Sequence, residues 1–440
     1  MTVFVGLLMS GSNLFLPGLA GPYQACISGM GWIVLWSFGS KNTLDFLIRG
    51  LLLSLPVSYV SVLGSSYATF PLSWFNIFQL LLVCYGFLNL RYIIKNYFIT
   101  WFSLVVLLLL AFLPSLLFAP NMASGLKQYL HIVAFGAMIF VGVQFHGWLS
   151  PSRVSLYSRI YLLATEIMAL CLVAQIAIKR LGISVGINIA MGGGREAFGG
   201  AFNDFSFASA FIATGAAAMV AQGLASTGWR LWPYLEASLL LVVSIATTAR
   251  TGMAGFILGL SLWQCCHVIQ KRSVTIKSLA IILPITIAAA LLVIYLPNLR
   301  EEALVNDSGR IESIQFAMEK IKGHEWIGFG LGVSQYKETT GVTIPHNWMV
   351  QYLVQAGIVG FAGSMIVVLA LTWRAFHVPI QLQLPFLVAL MCTMFIPDLI
   401  NSRFFPTLCM LILMVEFPLP RVNQPPVSNG PSAIRYSCSP

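Results

Sequence analysis

Apolar runs close to twenty residues long recur from one end of this chain to the other, and no water-soluble fold can hide so many of them. A helix needs roughly 20 such residues to cross about 30 Å of hydrocarbon. Runs of that kind fall near 3–20, 23–39, 46–64, 72–90, 99–119, 127–149 and 157–178, then near 201–224, 232–249, 251–270, 277–296, 347–373, 380–397 and 403–419. They lack the period-2 alternation of an outer-membrane strand, so they predict helices. With 58% hydrophobic and 9% charged residues, against roughly 25% charged in a soluble domain, one continuous bundle is expected rather than several soluble domains. The fold class is all-α, a polytopic membrane helix bundle of about 12–14 spans. The spread arises because the first two and last two runs are short or interrupted by proline. No Lys or Arg precedes the first run, so it lacks the charged start of a secretory leader and is expected to remain as a span.

The formal net charge is +10, yet the 24 Lys and Arg stand singly or in pairs between apolar runs. That pattern argues for membrane topology and against a nucleic-acid partner. With the N-terminus inside, Lys41, Arg49, Arg91, Lys95, Arg153, Arg159, Arg230, Lys271, Arg272, Lys277, Arg374, Arg421 and Arg435 are cytoplasmic. The opposite short loops hold only Lys127, Lys179, Arg180, Arg195, Arg250 and Arg403. The bias in short loops sets orientation, so both termini are expected in the cytoplasm. The eight Cys sit mostly inside apolar runs without CxxC spacing and read as small hydrophobes.

The expected organisation is N-terminal transmembrane helices over 1–180, a membrane domain over 181–420, and a Pro- and Ser-rich disordered cytoplasmic tail over 421–440. Within the membrane domain the one long hydrophilic segment, 297–346, faces outward. There Asp307-Ser308 offers an N-cap, and Ile311, Ile314, Met318 and Ile321 recur at helical spacing before Gly323. A short amphipathic helix lying on the outer membrane face is predicted.

Four outward residues could carry chemistry. Arg195 follows three glycines, which would let backbone approach a ligand while the guanidinium fork grips phosphate oxygens; a flexible turn with a snorkelling Arg is the competing account. Arg250, in Thr247-Thr248-Ala249-Arg250-Thr251-Gly252, joins two apolar runs with almost no loop, on the side where cations should be scarce. It calls for an anionic partner, unless it is a topological anchor placed against the rule. Arg310 opens the amphipathic helix, where free N–H groups favour an anion. His346, in Pro345-His346-Asn347, is suited to take a proton from a hydroxyl, although a lone His is often structural. Glu166 lies mid-span and should be neutral or paired. The outer loops show no Asp-x-Asp pair and no His/Cys/Asp cluster at metal-ligand spacing, and the chain has no ATP-binding phosphate loop.

The order Arg195…Gly199-Gly200-Ala201-Phe202-Asn203-Asp204, Ala249-Arg250-Thr251-Gly252, Gly309-Arg310, Gly328-Phe329-Gly330 and His346-Asn347 resembles the bacterial O-antigen ligase and polymerase superfamily over roughly 190–360. The first half resembles it only as a hydrophobic pattern. The resemblance implies a GT-C-like membrane fold in the bacterial inner membrane, with one long periplasmic loop over the site. It implies a metal-independent glycosyltransferase without a cofactor, whose donor is an oligosaccharide or polysaccharide on undecaprenyl diphosphate. Arg195, Arg250 and Arg310 would bind the diphosphate, and His346 would be the base. A chain-length regulator and export machinery are the protein partners it suggests, beside membrane lipids. Polymerisation of exopolysaccharide or O-antigen repeat units is the expected activity, transfer of finished glycan to lipid A core the alternative. A transporter or flippase would make a bundle of this size too, but no internal repeat is visible and few charges lie within the spans.

Overall fold

Several helices begin where the sequence offers a cap. The Asn42 side chain accepts from the Asp45 N–H at the start of Thr43–Leu53 (α1), and Ser73 and Asn76 form a capping box at Trp74–Leu88 (α2). Lys95–Leu117 (α3) follows, then Met122–Gln144 (α4) behind Asn121 and Pro151–Arg180 (α5) with proline in its first turn. Asp204 caps Phe205–Ala225 (α6), which precedes Trp232–Ala246 (α7) and Thr251–Lys271 (α8). Arg310–Lys320 (α9) and Val333–Thr340 (α10) come next. Trp348–Ala375 (α11) starts behind Asn347, and Ile380–Cys392 (α12) and Phe404–Met414 (α13) complete the order. The computed structural model describes residues 31, 39–62, 72–90, 95–182, 189–192, 195–202, 204–226, 231–271, 310–342, 344–396 and 398–416. The expected spans at 3–20 and 277–296, almost all of that at 23–39, and the tail 421–440 lie outside the described residues.

Among the described residues five helices are long and apolar enough to cross a bilayer, and four shorter ones are apolar. The chain is an all-α, polytopic membrane protein. Its one described sheet is a hairpin of Ile189–Gly192 (β1) and Arg195–Phe198 (β2) in the glycine-rich loop, with Gly192 opposite Arg195. Cys171, Cys392 and Cys409 are buried and unbridged, as small hydrophobes should be.

Small side chains decide which helix lies at the centre. α6 is built largely of Ala, Ser and Gly, so α5, α7, α8 and α12 all approach its backbone closely. On α8, Gly255 and Gly259 form a small-xxx-small pair against α12, where a Cβ at Gly259 would come within 2.7 Å of Val388 Cα. Glu166 of α5 faces Glu236 of α7, so two acidic side chains meet between these helices.

The second half of the bundle is α3, α4, α11 and α13. α11 is broken at Gly357, whose backbone is left-handed at φ 62° and ψ −166°. A residue in that state accepts no side chain cheaply. The chain at 325–331 fills the break: Ile358 N–H donates to Glu325 O at 2.7 Å, Val359 N–H to Trp326 O at 3.3 Å, and Phe329 N–H to Val354 O at 2.8 Å. Ser115 of α3 donates its hydroxyl to Ile327 O at 2.9 Å. Gly328 lies so close to Val354 O that a side chain there would collide with it.

This docking corrects the expected surface helix in part. α9 does form, but Ala317 and Ile321 are buried while Met318 is 45% exposed, so the packed face is rotated from the Ile314–Met318 line. Ala317 joins Tyr336 of α10, Ile344 and Val354 in a small core over the first half of α11. The proposed cap at Asp307-Ser308 lies outside the described residues. At the loop tip, the Gly323 N–H donates to Glu325 Oε1 at 2.9 Å and holds that carboxyl below the ordinary carboxylate range.

Candidate active site

Two ends of the bundle differ in what they collect. At one end Arg49 pairs with Asp45 at 3.0 Å, and the Tyr157 hydroxyl donates to the same carboxylate. Tyr157 packs on Trp148, over which Arg153 stacks, and buried Arg374 donates to Val415 O beside Leu149. Arg49, Arg153 and Arg374 all belong to the cation-rich set of the sequence. The opposite end carries the 310–346 loop and holds Arg250 and Arg403. Along α4 alone the two ends are about 30 Å apart, at 1.5 Å per residue.

The turn that bears Arg250 is tightly built. Ser209 of α6 and Ser244 of α7 bond to each other at 2.9 Å, and the Ser209 hydroxyl accepts from Gly252 N–H at 3.0 Å. The Thr247 hydroxyl accepts from Ala249 N–H at 3.0 Å, which leaves Thr248 left-handed at φ 68°. Arg250 is half-buried. Phe198 N–H donates to Thr247 O at 3.3 Å, so the strand bearing Arg195 runs beside this turn.

His346 is exposed and immediately precedes Asn347, whose side chain caps α11 by accepting from Met349 and Val350 N–H. The Asn347 amide also donates to Met394 O at 3.2 Å, tying His346 to the turn between α12 and α13. α8 packs antiparallel to α12 with Gly255 against Cys392, so Arg250 lies at the level of that same turn. Arg310 begins α9, which rests on the half-helix that Asn347 caps. The structure thus brings the chain segments of Arg195, Arg250, Arg310 and His346 to one end. The side chains of Arg195 and Arg310 lie outside the described residues.

Sequence reasoning missed a second polar group at this end. Asp398, 5% exposed, accepts from Gln128 Nε2 at 2.9 Å, Tyr352 hydroxyl at 3.3 Å and Asn401 N–H at 3.1 Å. Arg403, 7% exposed, stacks over Tyr59 and Phe75 at 5.3 and 5.6 Å from the ring centroids. Asp398 and Arg403 are left-handed at φ 66° and 61°. With Thr248 they are the non-glycine residues with positive φ among those described, and all three lie at the loop-bearing end. The available signal was an Asp and an Arg five residues apart between two apolar runs, with His131 alone inside another.

A bundle of membrane-length helices, with strained polar turns and a docked loop at one end, defines a multi-pass membrane protein whose candidate site lies at that end. Residues 237–365 match the family model of O-antigen ligase. The match supports the O-antigen ligase and polymerase superfamily that the motifs resemble, and with it glycan transfer of ligase or polymerase type on lipid-linked glycan. It spans Arg250, Arg310 and His346 and leaves Arg195 outside. No curated protein matches the chain.

Proposed function

We propose that the chain is an inner-membrane glycosyltransferase that acts on undecaprenyl-diphosphate-linked glycan at the periplasmic face and polymerises exopolysaccharide or O-antigen repeat units. The observation that carries this reading is the convergence of the Arg250 turn, the Arg195 strand and the His346–Asn347 cap on one end of the bundle. A sugar on a lipid diphosphate already has a good leaving group, so no general acid is needed, unlike the paired carboxylates of glycosidases. As the anomeric bond breaks, charge builds on the diphosphate. Arginines fixed beside it then bind the transition state more tightly than the donor. His346 takes the proton of the acceptor hydroxyl as that oxygen attacks, which inverts the anomeric carbon. Neither metal nor cofactor has a part in this scheme.

Ligation of finished glycan to lipid A core is the second reading, favoured by the description of the matching family. Both share donor chemistry and differ in acceptor. The test is turnover by purified protein of a defined undecaprenyl-diphosphate oligosaccharide in the presence of EDTA. Elongated product from this donor alone supports polymerisation, whereas transfer only when a lipid A core is supplied supports ligation. A protein that moves the donor between leaflets without consuming it is a transporter, and the reading is then wrong.

A further inference from the structure

The break at Gly357 leaves a second half of α11, Ile358 to Ala375, that is about 27 Å long at 1.5 Å per residue, close to the roughly 30 Å of a hydrocarbon core. Ile358, Ala362, Ile366, Leu369 and Trp373 are exposed and fall on one stripe of it. In a helix of membrane length such a stripe faces lipid. Tryptophan closes the stripe at both ends. Trp373 does so near Ala375, and at the break the closing residue comes from the docked loop. Trp326 accepts from Val359 N–H through its carbonyl at 3.3 Å, and its side chain is turned out, 70% exposed. An indole is apolar over its body and a donor at its N–H, which suits it to the layer where hydrocarbon meets water.

Hydrogen bonds to the main chain fix Trp326 at that level. Ile358 N–H donates to Glu325 O at 2.7 Å, and the Ser115 hydroxyl donates to Ile327 O at 2.9 Å. Ser115 lies in the last turn of α3, where Leu117 and Phe118 are exposed, as is Met122 at the start of α4. Trp326 therefore continues an apolar rim formed by the ends of lipid-facing helices. The charges beside it carry both signs, because Glu319 and Glu325 stand with Lys320 and Lys322, all of them exposed. Mixed charge around one large apolar ring matches neither an acidic nor a basic protein partner. It matches lipid head groups, which present phosphate and hydrogen-bond donors together over hydrocarbon.

We infer that the tip of the docked loop, residues 319–326, is a membrane-interface anchor whose Trp326 ring seats among the lipid head groups at the loop-bearing end, with Lys322 on the water side. It stands whether or not the chain transfers glycan. The anchor also sets a depth. Phe112, a turn further into α3 than Ser115, packs edge-on against Tyr352 at 5.4 Å, and Tyr352 donates to Asp398. Gln128, well inside α4 from Met122, donates to the same carboxylate. The Asp398 turn and the first half of α11 therefore lie beneath the layer that holds Trp326, recessed toward the hydrocarbon.

The test is photo-crosslinking of the full-length protein in vesicles of phosphatidylethanolamine and phosphatidylglycerol. A benzophenone amino acid is placed at position 326, 322 or 366, and phospholipid adducts are counted by mass spectrometry. The yield at 326 should be within about twofold of that at 366 on the lipid-facing stripe, and at least threefold above that at 322. No lipid adduct at 326, or equal yields at 322 and 326, overturns the anchor. A crosslink from 326 to a second copy of the chain in place of lipid does so too, and makes the face a self-interface. Trp326→Phe gives a second measurement that leaves the wild-type chain otherwise unaltered. The fluorescence lost in that variant should be quenched by half or more when the lipids are brominated near the glycerol, and absence of quenching overturns the placement of the ring.

Discussion

The main-chain N–H of Phe198 donates to the carbonyl of Thr247 at 3.3 Å, so the strand that carries Arg195 and the turn that carries Arg250 are joined by backbone alone. Substituting either arginine leaves that link intact. A change in activity then reports on the guanidinium and not on a collapsed turn.

Arg250→Lys keeps the charge and loses the planar fork. Donor turnover should fall at least tenfold with the protein still inserted and folded, because a point charge cannot hold two phosphate oxygens in place. Full activity in a quantitative transfer assay would make Arg250 a topological anchor.

Orientation is checked by reporter fusions. A reporter active only in the periplasm should be active when fused after Gly323 and silent after Arg272, following the short-loop cation bias. The reverse pattern would put the candidate site in the cytoplasm.

His346→Ala should reduce transfer by roughly 10²–10⁴-fold, the range for loss of a general base. The Asn347 cap does not involve the imidazole, so helix α11 should persist by circular dichroism. Cells in which this chain polymerises would accumulate single repeat units, whereas a ligase variant would leave full-length polymer on the carrier. Normal long surface polymer in the variant would remove His346 from the chemistry.

Gly328→Ala tests the loop docking. Its backbone is left-handed at φ 67° and a β-carbon there would come within 2.4 Å of Val354 O, so an added methyl group should destabilise the docked segment by about 1–3 kcal/mol. Faster amide exchange at Ile358 and easier proteolysis near Trp326 are the expected readouts. Unaltered exchange would mean the break at Gly357 holds without the loop.

Among the described residues hydropathy located the five long helices well, because bilayer thickness sets their length, whereas the run at 46–64 forms only Thr43–Leu53 and a 3-10 turn at Leu55–Val57. The run read at 251–270 is the helix Thr251–Lys271, and that at 347–373 is Trp348–Ala375. Ends shifted where polar residues cap: α4 starts five residues before the expected 127, because Asn121 can bond to Ser124 N–H. The break at Gly357 was not legible, since a left-handed residue inside an apolar run leaves hydropathy unchanged. Arg250 and His346 could be picked out because each stands at a span boundary. The group around Asp398 could not, because Gln128, Tyr352 and Asn401 meet it only after the bundle has closed.

Glu325 and Trp326 supply carbonyls to the N–H groups of Ile358 and Val359, the first turn of the half-helix that continues toward Ala375. Lifting 325–331 away would remove the partners of those two N–H groups, at a cost of about 1–3 kcal/mol for each that is left buried and unpaired. Three backbone bonds, from Ile358 N–H, Val359 N–H and Phe329 N–H, therefore tie that stretch to α11. Under the proposed function, a donor with a long lipid tail would then enter sideways between helices, because a path from above would have to break these backbone bonds first.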